Sequence, residues 1–535
     1  MTPDLIVIGG GSAGAACAAR LAQGGKRVLL VEAGKSDADI RSKVPALMSG
    51  IVHTPEFDWM YKAEPDGSVG GRADVWPAGK RLGGGSAING MMFIRGHKWD
   101  YDHWAELGAT GWDYASVLPY FRRMEDNERG ADEWRGQGGP IAVSEVRSRY
   151  EITDEWIEAV QQAGYPRSLD LNGREAEGVD HIQLSQRRGL RHSTAAGYLK
   201  RKPATLDILL EAQVLKIETA DGRATGVSVR RGGEVSTLSA SEGVVLCAGA
   251  LNTPRLLMLS GIGPEKELRH HQIDVVRDLP GVGENLQEHP GVHLVNAVDA
   301  HTLNDDAKGF AGVRQVLALA IARTGALTTG IGHAQAFVKS REGLPAPNLQ
   351  LAFSAFAFDV TDKGNLALRQ ESSVSTFVAL MRPQSRGRIS LRANDPDAPP
   401  LIEHLLLGDE DDVEQLVEGL EIARRIMGEP AIAPHVKDEV RPGAELATRE
   451  QLGFYVRAAT IPMFHPVGTA RMGRADDPQA VAGPDCRLRG LDGLWVADAS
   501  IMPTIPQGNT NATAIMIGER ASDLILEGLR AKAAA

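Results

Sequence analysis

Near its N-terminus the chain reads Leu5-Ile6-Val7-Ile8-Gly9-Gly10-Gly11-Ser12-Ala13-Gly14, a short apolar run followed at once by a GxGxxG motif. The apolar run predicts a buried parallel strand, and the Ala-rich residues 15–23 predict a helix. Residues 27–31 predict a second buried strand, which ends at Glu32, 18 residues after Gly14. The order strand, glycine turn, helix, strand and acid is typical of a dinucleotide-binding unit.

Each residue of this motif has its own physical role in such a unit. Gly9 permits a tight turn, Gly11 lets the backbone approach a pyrophosphate, and Gly14 lets helix and strand pack closely. The helix N-terminus offers unpaired N–H groups to phosphate, and Glu32 is placed to accept hydrogen bonds from a ribose. A glycine turn that serves only the fold is the plainer alternative. Because strand, helix and acid are all in register, a nucleotide site is the better interpretation.

The motif alone does not distinguish NAD from FAD, but two later features favour FAD. Two further glycine pairs, at residues 281–283 and 330–332, both lack the third glycine of a second nucleotide motif. Residues 493–499 form a late apolar strand that ends in an acid, Asp498, more than 450 residues after the first strand. A chain that leaves a nucleotide fold and returns to complete it near its C-terminus is typical of flavoproteins.

Composition narrows the class of protein. The length of 535 residues, with 43% hydrophobic and 24% charged residues, predicts one or two large globular domains and excludes wholesale disorder. Lys+Arg 58 against Asp+Glu 69 gives a net charge of −11 without a basic block, which argues against nucleic acid as a partner. Three scattered cysteines predict neither a disulfide framework nor a metal site. With no signal-peptide pattern and no apolar run of spanning length, we expect a reduced, soluble, cytoplasmic protein without an integral membrane segment.

Five later segments resemble the signatures of the glucose–methanol–choline (GMC) oxidoreductases. They are GKRLGGGSAINGMMFIRG (79–96), GALNTPRLLMLSGIG (249–263), LPGVGENLQEH (279–289), HPVGTARMG (465–473) and the stretch from DASIMP to IGER (498–520). The matches run in family order from residue 4 to about residue 525. The chain is therefore similar to this family over nearly its whole length.

The resemblance implies an α/β fold, in which a Rossmann-like FAD-binding domain carries an inserted α+β substrate domain built on an antiparallel sheet. The FAD-binding domain is expected at residues 1–155, 189–295 and 455–535, and the substrate-binding domain at 156–188 and 296–454. The residue pattern agrees with such an insertion. Alternation of Leu349, Leu351 and Phe353 with smaller or polar residues predicts a half-buried strand, and residues 375–381 and 388–391 predict two more. The acidic run 408–412 is interpreted as a helix cap rather than a metal site, because an amphipathic helix follows it.

The resemblance also implies which residues bind the cofactor. These are Gly9, Gly11, Ser12, Ala13, Gly14, Glu32, Ala33, Gly83, Gly84, Ser86, Asn89, Gly90, Met91, Met92, Val214, Asp498, Ala499, Asn509, Thr510 and Asn511. The loop 83–86 is expected to cradle the diphosphate, residues 89–92 to line the flavin, and Val214 to lie near the adenine. Some relatives attach flavin covalently through a histidine just before the asparagine of the first signature. Ile88 occupies that position here, so we expect non-covalent FAD.

His465 is the predicted catalytic base, and Asn509 is its predicted partner. Alcohol oxidation removes an O–H proton and a C–H hydride, and neutral imidazole is suited to take the proton. By resemblance, Asn509 donates a hydrogen bond to the substrate oxygen, while helix capping is its plainer role. Met463 and Phe464 are expected where the pocket meets the flavin. No metal ion is predicted.

These features predict FAD-dependent oxidation of a primary, less readily a secondary, alcohol to a carbonyl compound. A small alcohol is the expected partner, and electrons are expected to pass to a quinone-like acceptor rather than O₂. An oxygen-using alcohol oxidase and a redox-silent hydroxynitrile lyase share the same motifs and stay open as alternatives. A flavin-containing binding protein is disfavoured by the intact His465 and Asn509. The sequence does not single out choline, and an aliphatic, aryl or polyether alcohol fits equally well.

Overall fold

Two large sheets organise the protein, which a computed structural model describes over residues 2–360 and 366–534. In chain order their strands are β1 (Leu5–Ile8), β2 (Val28–Val31), β3 (Gly178–His181), β4 (Leu206–Leu209), β5 (Gly243–Leu246), β6 (Pro290–Val298), β7 (Ala334–Val338), β8 (Leu349–Ser354), β9 (Ser373–Leu380), β10 (Val436–Arg441), β11 (Ile461–Pro462) and β12 (Leu494–Val496). The parallel sheet has the order β4-β2-β1-β5-β12. The antiparallel sheet has the order β10-β6-β9-β8-β7-β3, with β11 paired to the start of β6.

Helices cover these sheets. The described α-helices are α1 (Ser12–Gln23), α2 (Ile40–Lys43), α3 (Lys98–Glu106), α4 (Tyr114–Met124), α5 (Glu151–Gln162), α6 (Asn252–Leu259), α7 (Glu265–His270), α8 (Leu303–Asp306), α9 (Gly309–Ala322), α10 (Glu410–Met427), α11 (Arg449–Ala459) and α12 (Asn511–Ala534). Beside the parallel sheet lies a three-stranded antiparallel sheet of Ala212–Ala220, Arg223–Arg231 and Glu234–Ser239. Among the described residues, no helix combines the length and apolar character needed to cross a membrane.

The predicted nucleotide-binding unit is confirmed as β1-α1-β2. Gly9 has a φ of +95°, the left-handed conformation that glycine adopts without strain. A Cβ on Gly14 would lie 1.9 Å from the Gly9 carbonyl oxygen, so only glycine lets α1 pack this close to the end of β1. The late strand is confirmed as well, since β12 pairs in parallel with β5 through Val244 and Leu494. The chain therefore returns near its C-terminus to complete the first sheet.

The antiparallel sheet separates an apolar core from a cavity. On one side, Leu294 of β6 and Leu351 of β8 belong to a core with α5 and α10. The alternate residues, such as His293 and Ser354, line the cavity. The expectation that β8 is half-buried is wrong, because the residues on its second face are buried too, Gln350 to 0% exposure. Gln350 donates to the Gln335 side chain of β7 at 2.8 Å instead of facing water, which alternation alone does not show. The capping interpretation is confirmed, since the Asp409 side chain accepts from the backbone N–H of Asp411 at the start of α10.

The division into two domains stays a prediction, and we propose two adjustments to it. Strand β6 runs unbroken through the expected boundary at 295/296, so the substrate-binding part is better begun at Pro290. Helix α5 runs through the boundary at 155/156 and packs on the antiparallel sheet, so this boundary is better placed before Glu151.

Candidate active site

One large cavity, of about 1570 Å³, extends from the glycine turn after β1 to the face of the antiparallel sheet that carries His293 and Ser354. Pockets for small ligands are commonly about 300–1,000 Å³. The cavity is therefore large enough for a dinucleotide together with a small substrate. It lies at the carboxyl ends of the parallel strands, where ligands bind in open α/β sheets.

Most of the predicted cofactor-binding residues line this cavity. They are Gly9, Gly11, Ser12, Ala13, Glu32, Ala33, Gly84, Asn89, Gly90, Met91, Met92, Val214, Asp498, Ala499, Asn509, Thr510 and Asn511. Gly14, Gly83 and Ser86 are not part of the wall. Ser86 lies behind it and donates from Oγ to the Gly83 carbonyl at 2.6 Å. The structure thus brings together segments that lie up to about 500 residues apart in the chain, while the role of each residue stays a prediction.

Glu32 lies at the nucleotide end of the cavity. Its two carboxylate oxygens accept backbone N–H groups of Gly10 and Gly34 at 2.8 and 2.7 Å. Burial raises the pKa of Glu32, and the backbone hydrogen bonds oppose this shift. Each carboxylate oxygen has a second lone pair, so the side chain is fixed in place and still able to accept a ribose hydroxyl.

Two helix N-termini meet beside the cavity and favour an anion. Ser12 Oγ donates to Asn511 Oδ1 at 2.6 Å, which joins the first residues of α1 and α12. Neither helix has an acidic residue in its first turn, and Gly11 gives α1 no side-chain cap. Both helix ends therefore keep their partial positive charge for a ligand.

The glycine loops form a cradle of the kind a diphosphate needs. A Cβ on Gly84 would lie 2.7 Å from the Cα of Gly11, so the two loops approach each other backbone to backbone. Gly84 has a φ of +50°. With the helix ends and Glu32, this cradle matches the phosphates and ribose of a dinucleotide, and the residues present therefore fit FAD.

His465 lies in the cavity wall and is held by three different groups. Its backbone N–H donates to both carboxylate oxygens of Glu288, at 2.8 and 2.7 Å. Its Nδ1 lies 3.1 Å from Nδ1 of His289, and its Nε2 lies 3.1 Å from Nδ2 of Asn509. The structure therefore places the predicted base and its predicted partner in direct contact, although 44 residues separate them.

The hydrogen bonds determine which nitrogen of His465 carries the proton. Asn509 Nδ2 is a donor only, so Nε2 of His465 must present its lone pair. The ring proton then lies on Nδ1, which donates to Nδ1 of His289. Burial lowers the pKa of His465 to about 3, so the imidazole is neutral at ordinary pH. The result is a neutral ring with a basic nitrogen at the cavity wall.

Sequence reasoning missed Glu288 and His289. Glu288 also accepts the backbone N–H of His289 at 2.9 Å, and burial raises the pKa of this carboxyl to about 8. Burial likewise lowers the pKa of His289, with the neighbouring His465 adding to the effect. Both residues end the segment 279–289, but nothing in the sequence connects them to a histidine 176 residues later.

Sequence reasoning also missed Arg191. It is buried and donates to the Asn89 side chain at 2.8 Å and to the Ser86 carbonyl at 3.1 Å, which fixes the loop expected to face the flavin. Its Nε donates to the Ser42 carbonyl at 2.8 Å. Burial lowers the pKa of this guanidinium to about 9. No motif contains Arg191, so only the fold reveals this contact.

The residues before His465 shape the wall, as expected for Met463 and Phe464. Both line the cavity. Phe464 has a φ of +62°, which is uncommon for a bulky residue. This conformation leaves the Phe464 ring 42% exposed while His465 turns inward to 9%. Non-glycine residues in such conformations cluster at functional sites.

Comparison with known proteins decides the family. Two family models, both described as GMC oxidoreductase, match residues 3–291 and 383–518. The chain belongs to the GMC oxidoreductase family. It is 39% identical over 529 residues to the oxygen-dependent choline dehydrogenase of Brucella suis biovar 1 (strain 1330), covering 98% of this chain and 96% of that protein.

Solved structures of other members confirm the fold. Pyridoxine 4-oxidase from Mesorbium loti is 28% identical with a TM-score of 0.87, covering 97% of this chain and 98% of the other. A variant of the formate oxidase of Aspergillus oryzae RIB40, solved to show the effect of a mutation on FAD modification, is 26% identical with a TM-score of 0.90, covering 99% of both chains. The predicted α/β fold and FAD cofactor are thus confirmed, and the protein is an FAD-dependent oxidoreductase that acts on CH–OH groups.

Ile88 bears on how this GMC oxidoreductase holds its FAD. The side chain is 5% exposed, packs with Ile51 and Phe57, and carries no nucleophilic atom. We expect acid precipitation of the yellow protein to release all of the flavin into the supernatant, measured by absorbance. Flavin that stays with the precipitated polypeptide would show a covalent bond to another residue.

Proposed function

We propose that this GMC oxidoreductase oxidises an alcohol to a carbonyl compound, with His465 as the base and a quinone-like molecule as the electron acceptor. The observation that carries the proposal is the neutral His465, whose basic Nε2 lies beside Asn509 in the wall of the FAD cavity. FAD, when bound, supplies the acceptor for the hydride that leaves the substrate carbon.

We expect the substrate hydroxyl to replace the direct 3.1 Å contact between His465 Nε2 and Asn509 Nδ2 and to bond to both side chains. Nε2 of His465 accepts the hydroxyl proton, and the Nδ2 group of Asn509 donates to the oxygen as negative charge develops on it. Asn509 also lies two residues before α12, and Asn511 at the start of that helix lines the same cavity, so the positive end of the helix is close to the substrate oxygen. Asn509 Oδ1 has no hydrogen-bond partner among the described residues, which leaves it free to accept from a ligand.

Glu288 and His289 act through His465 and are positioning residues. The Glu288 carboxyl fixes the backbone of His465 and His289 together. His289 accepts the Nδ1 proton of His465, which keeps the lone pair on Nε2. When Nε2 takes the substrate proton, the same contact lets the ring pass its Nδ1 proton to His289.

The low pKa of His465 predicts the pH dependence of catalysis. The base works only when deprotonated, and burial lowers its pKa to about 3 from an ordinary 6.5. Its active form therefore persists as the pH falls through 6.5. We expect kcat/KM to stay nearly constant between pH 7.5 and 5.5, measured in stopped-flow reduction of the flavin. An acidic limb with a pKa near 6.5 that disappears in the His465→Gln variant would contradict this account.

The outer wall of the cavity favours a neutral alcohol over choline. Arg441 lines the cavity, and its charge, after the larger effect of burial, helps to lower the pKa of His293 to about 4. Arg441 donates to the Phe358 carbonyl, and its guanidinium lies 3.6 Å from the Asp359 carboxylate. Asp359 also pairs with Arg369 at 2.7 Å, so one carboxylate is shared by two guanidinium groups. The remaining positive charge beside the neutral His293 disfavours a quaternary ammonium group.

Replacement of Arg441 tests this preference. We compare kcat/KM for choline with kcat/KM for a neutral alcohol of the same length. We expect Arg441→Gln to raise the ratio of the first to the second by roughly tenfold, because one positive charge is removed from the cavity wall. Arg424→Gln is the control, because Arg424 pairs with Glu439 outside the cavity. An unchanged ratio in Arg441→Gln would mean that this arginine does not influence substrate choice.

The experiment for the proposed function is a steady-state assay of the FAD-loaded enzyme under nitrogen, with an alcohol panel and a water-soluble quinone. We expect a carbonyl product and reduced quinone in equal amounts. Product formed only after air is admitted, with hydrogen peroxide, would establish the oxidase alternative. The Brucella relative, an oxygen-dependent choline dehydrogenase, favours that alternative. Cleavage of a hydroxynitrile without any flavin reduction would establish the lyase.

A further inference from the structure

Helix α9 (Gly309–Ala322) exposes an apolar face. Its large outward residues are Val313, Val316, Leu317 and Ile321, exposed to 53, 57, 54 and 82%. Their spacing of three or four residues places them on one side of the helix. Such positions on a surface helix are ordinarily polar, so this face is suited to contact something other than water.

Cationic side chains border this face. Lys308 precedes α9, Arg314 lies at the edge of the apolar face, and Arg323 follows the last turn; all three are exposed. Lys308 forms an ion pair with Asp305, while the described ion pairs do not include Arg314 or Arg323. Because the chain as a whole carries a net charge of −11, these cations are a local feature. An apolar face with arginines at its border matches a helix that lies in the interface of an anionic bilayer.

The length of α9 agrees with this geometry. Fourteen residues extend for only about 21 Å, which is too short to span the hydrocarbon core of about 30 Å. A helix of this length can lie along a bilayer surface with its apolar side chains inserted below the headgroups.

The inner side of α9 forms part of the cavity wall. Gly312 and Gln315 line the cavity, and Gln315 Oε1 accepts the backbone N–H of Ala326 at 2.8 Å. The next residue, Leu327, lines the cavity too. A surface bound through the outer face of α9 would therefore be separated from the cavity by the thickness of this helix.

We propose that α9 docks this enzyme on the surface of an anionic lipid bilayer, with its apolar face in the acyl–headgroup boundary and its arginines at the lipid phosphates. Lipid-soluble molecules would then reach the cavity without crossing water. A second copy of the chain fits this face less well. The four exposed apolar side chains of α9 fall far short of the 20–30 residues that a stable interface buries on each side.

The test is co-sedimentation of the FAD-loaded enzyme with vesicles of phosphatidylcholine and phosphatidylglycerol. We expect the wild type to pellet with them and to bind pure phosphatidylcholine more weakly. Ile321→Glu places a charge in the apolar face, and we expect it to lower the bound fraction at least tenfold. Leu169→Glu is the matched control, because Leu169 is 86% exposed and lies in a loop outside α9. This control is expected to pellet like the wild type.

The readout separates docking from catalysis. Sedimentation needs no turnover, so docking and the proposed alcohol oxidation can fail independently. We expect Ile321→Glu to keep wild-type activity with a water-soluble quinone, which shows that the variant is folded. Wild-type enzyme that stays in the supernatant with anionic vesicles would overturn the proposal. So would light scattering that shows a dimer in the wild type and a monomer in Ile321→Glu, since the face would then bind a second copy.

Discussion

Replacing His465 with alanine is expected to slow alcohol-dependent reduction of the flavin by roughly 10²- to 10⁴-fold, the usual contribution of a positioned general base. The reason is the loss of the only nitrogen that both contacts Asn509 and faces the cavity as a neutral acceptor in the structure as described. FAD is expected to stay bound, since the contacts of the cradle at Gly11 and Gly84 do not involve His465. Rapid mixing with alcohol under anaerobic conditions measures the effect.

Two further variants make this result specific to His465. His53 also lines the cavity, and we expect His53→Ala to keep most of the wild-type rate. We expect His289→Ala to slow reduction less than His465→Ala and to change its pH profile, because the Nδ1 proton of His465 loses its acceptor. A His465→Ala variant that reduces at the wild-type rate would remove histidine from the mechanism.

Gly14→Ala is expected to have the second large effect, on the cofactor rather than on the chemistry. The new Cβ would lie 1.9 Å from the carbonyl oxygen of Gly9 and 3.0 Å from the Cβ of Cys247. Because the nearer neighbour is backbone, α1 must move away from β1, which opens the turn expected to hold the diphosphate. We expect a destabilisation of about 2–3 kcal/mol and loss of most bound FAD. Flavin absorbance per mole of protein and thermal unfolding measure the two effects.

Gly453 provides the control for this helix substitution. It also lies inside a helix, α11, but a Cβ there has no heavy atom within 4 Å. Gly453→Ala is therefore expected to stabilise the protein by up to about 1 kcal/mol, the difference in helix propensity, and to keep its full FAD content. If both variants retain FAD equally, close packing at Gly14 is not what the cofactor site requires.

The nucleotide-binding half was predictable because its signals are local. Strand β1, the glycine turn and α1 follow one another directly, and each glycine of the motif has one steric reason that the sequence already implies. The return of the chain at β12 was also predictable, since its apolar run ends in Asp498. The order of these elements along the chain, together with the family resemblance, was sufficient to predict the nucleotide-binding half. The resemblance also predicted the pairing of His465 with Asn509.

The residues that hold His465 and Asn89 in place were not predictable, because their contacts join segments that are distant in the chain. Glu288 reaches the backbone of His465 only after β6 and β11 pair, and Arg191 reaches Asn89 from another part of the chain. The burial of Gln350 shows the same limit, since alternation reports the two faces of a strand but not what covers them. Long-range packing decides these features, and no local pattern encodes it.

The most direct measurement for the whole account is an anaerobic absorbance titration of the FAD-loaded enzyme with a panel of primary alcohols, carried out on the wild type and on His465→Gln. The account predicts that at least one neutral alcohol bleaches the flavin band of the wild type, with one equivalent of carbonyl product for each flavin, while the variant bleaches at least a hundredfold more slowly. A fully loaded wild-type enzyme that no alcohol reduces, or a variant that bleaches as fast as the wild type, would contradict it.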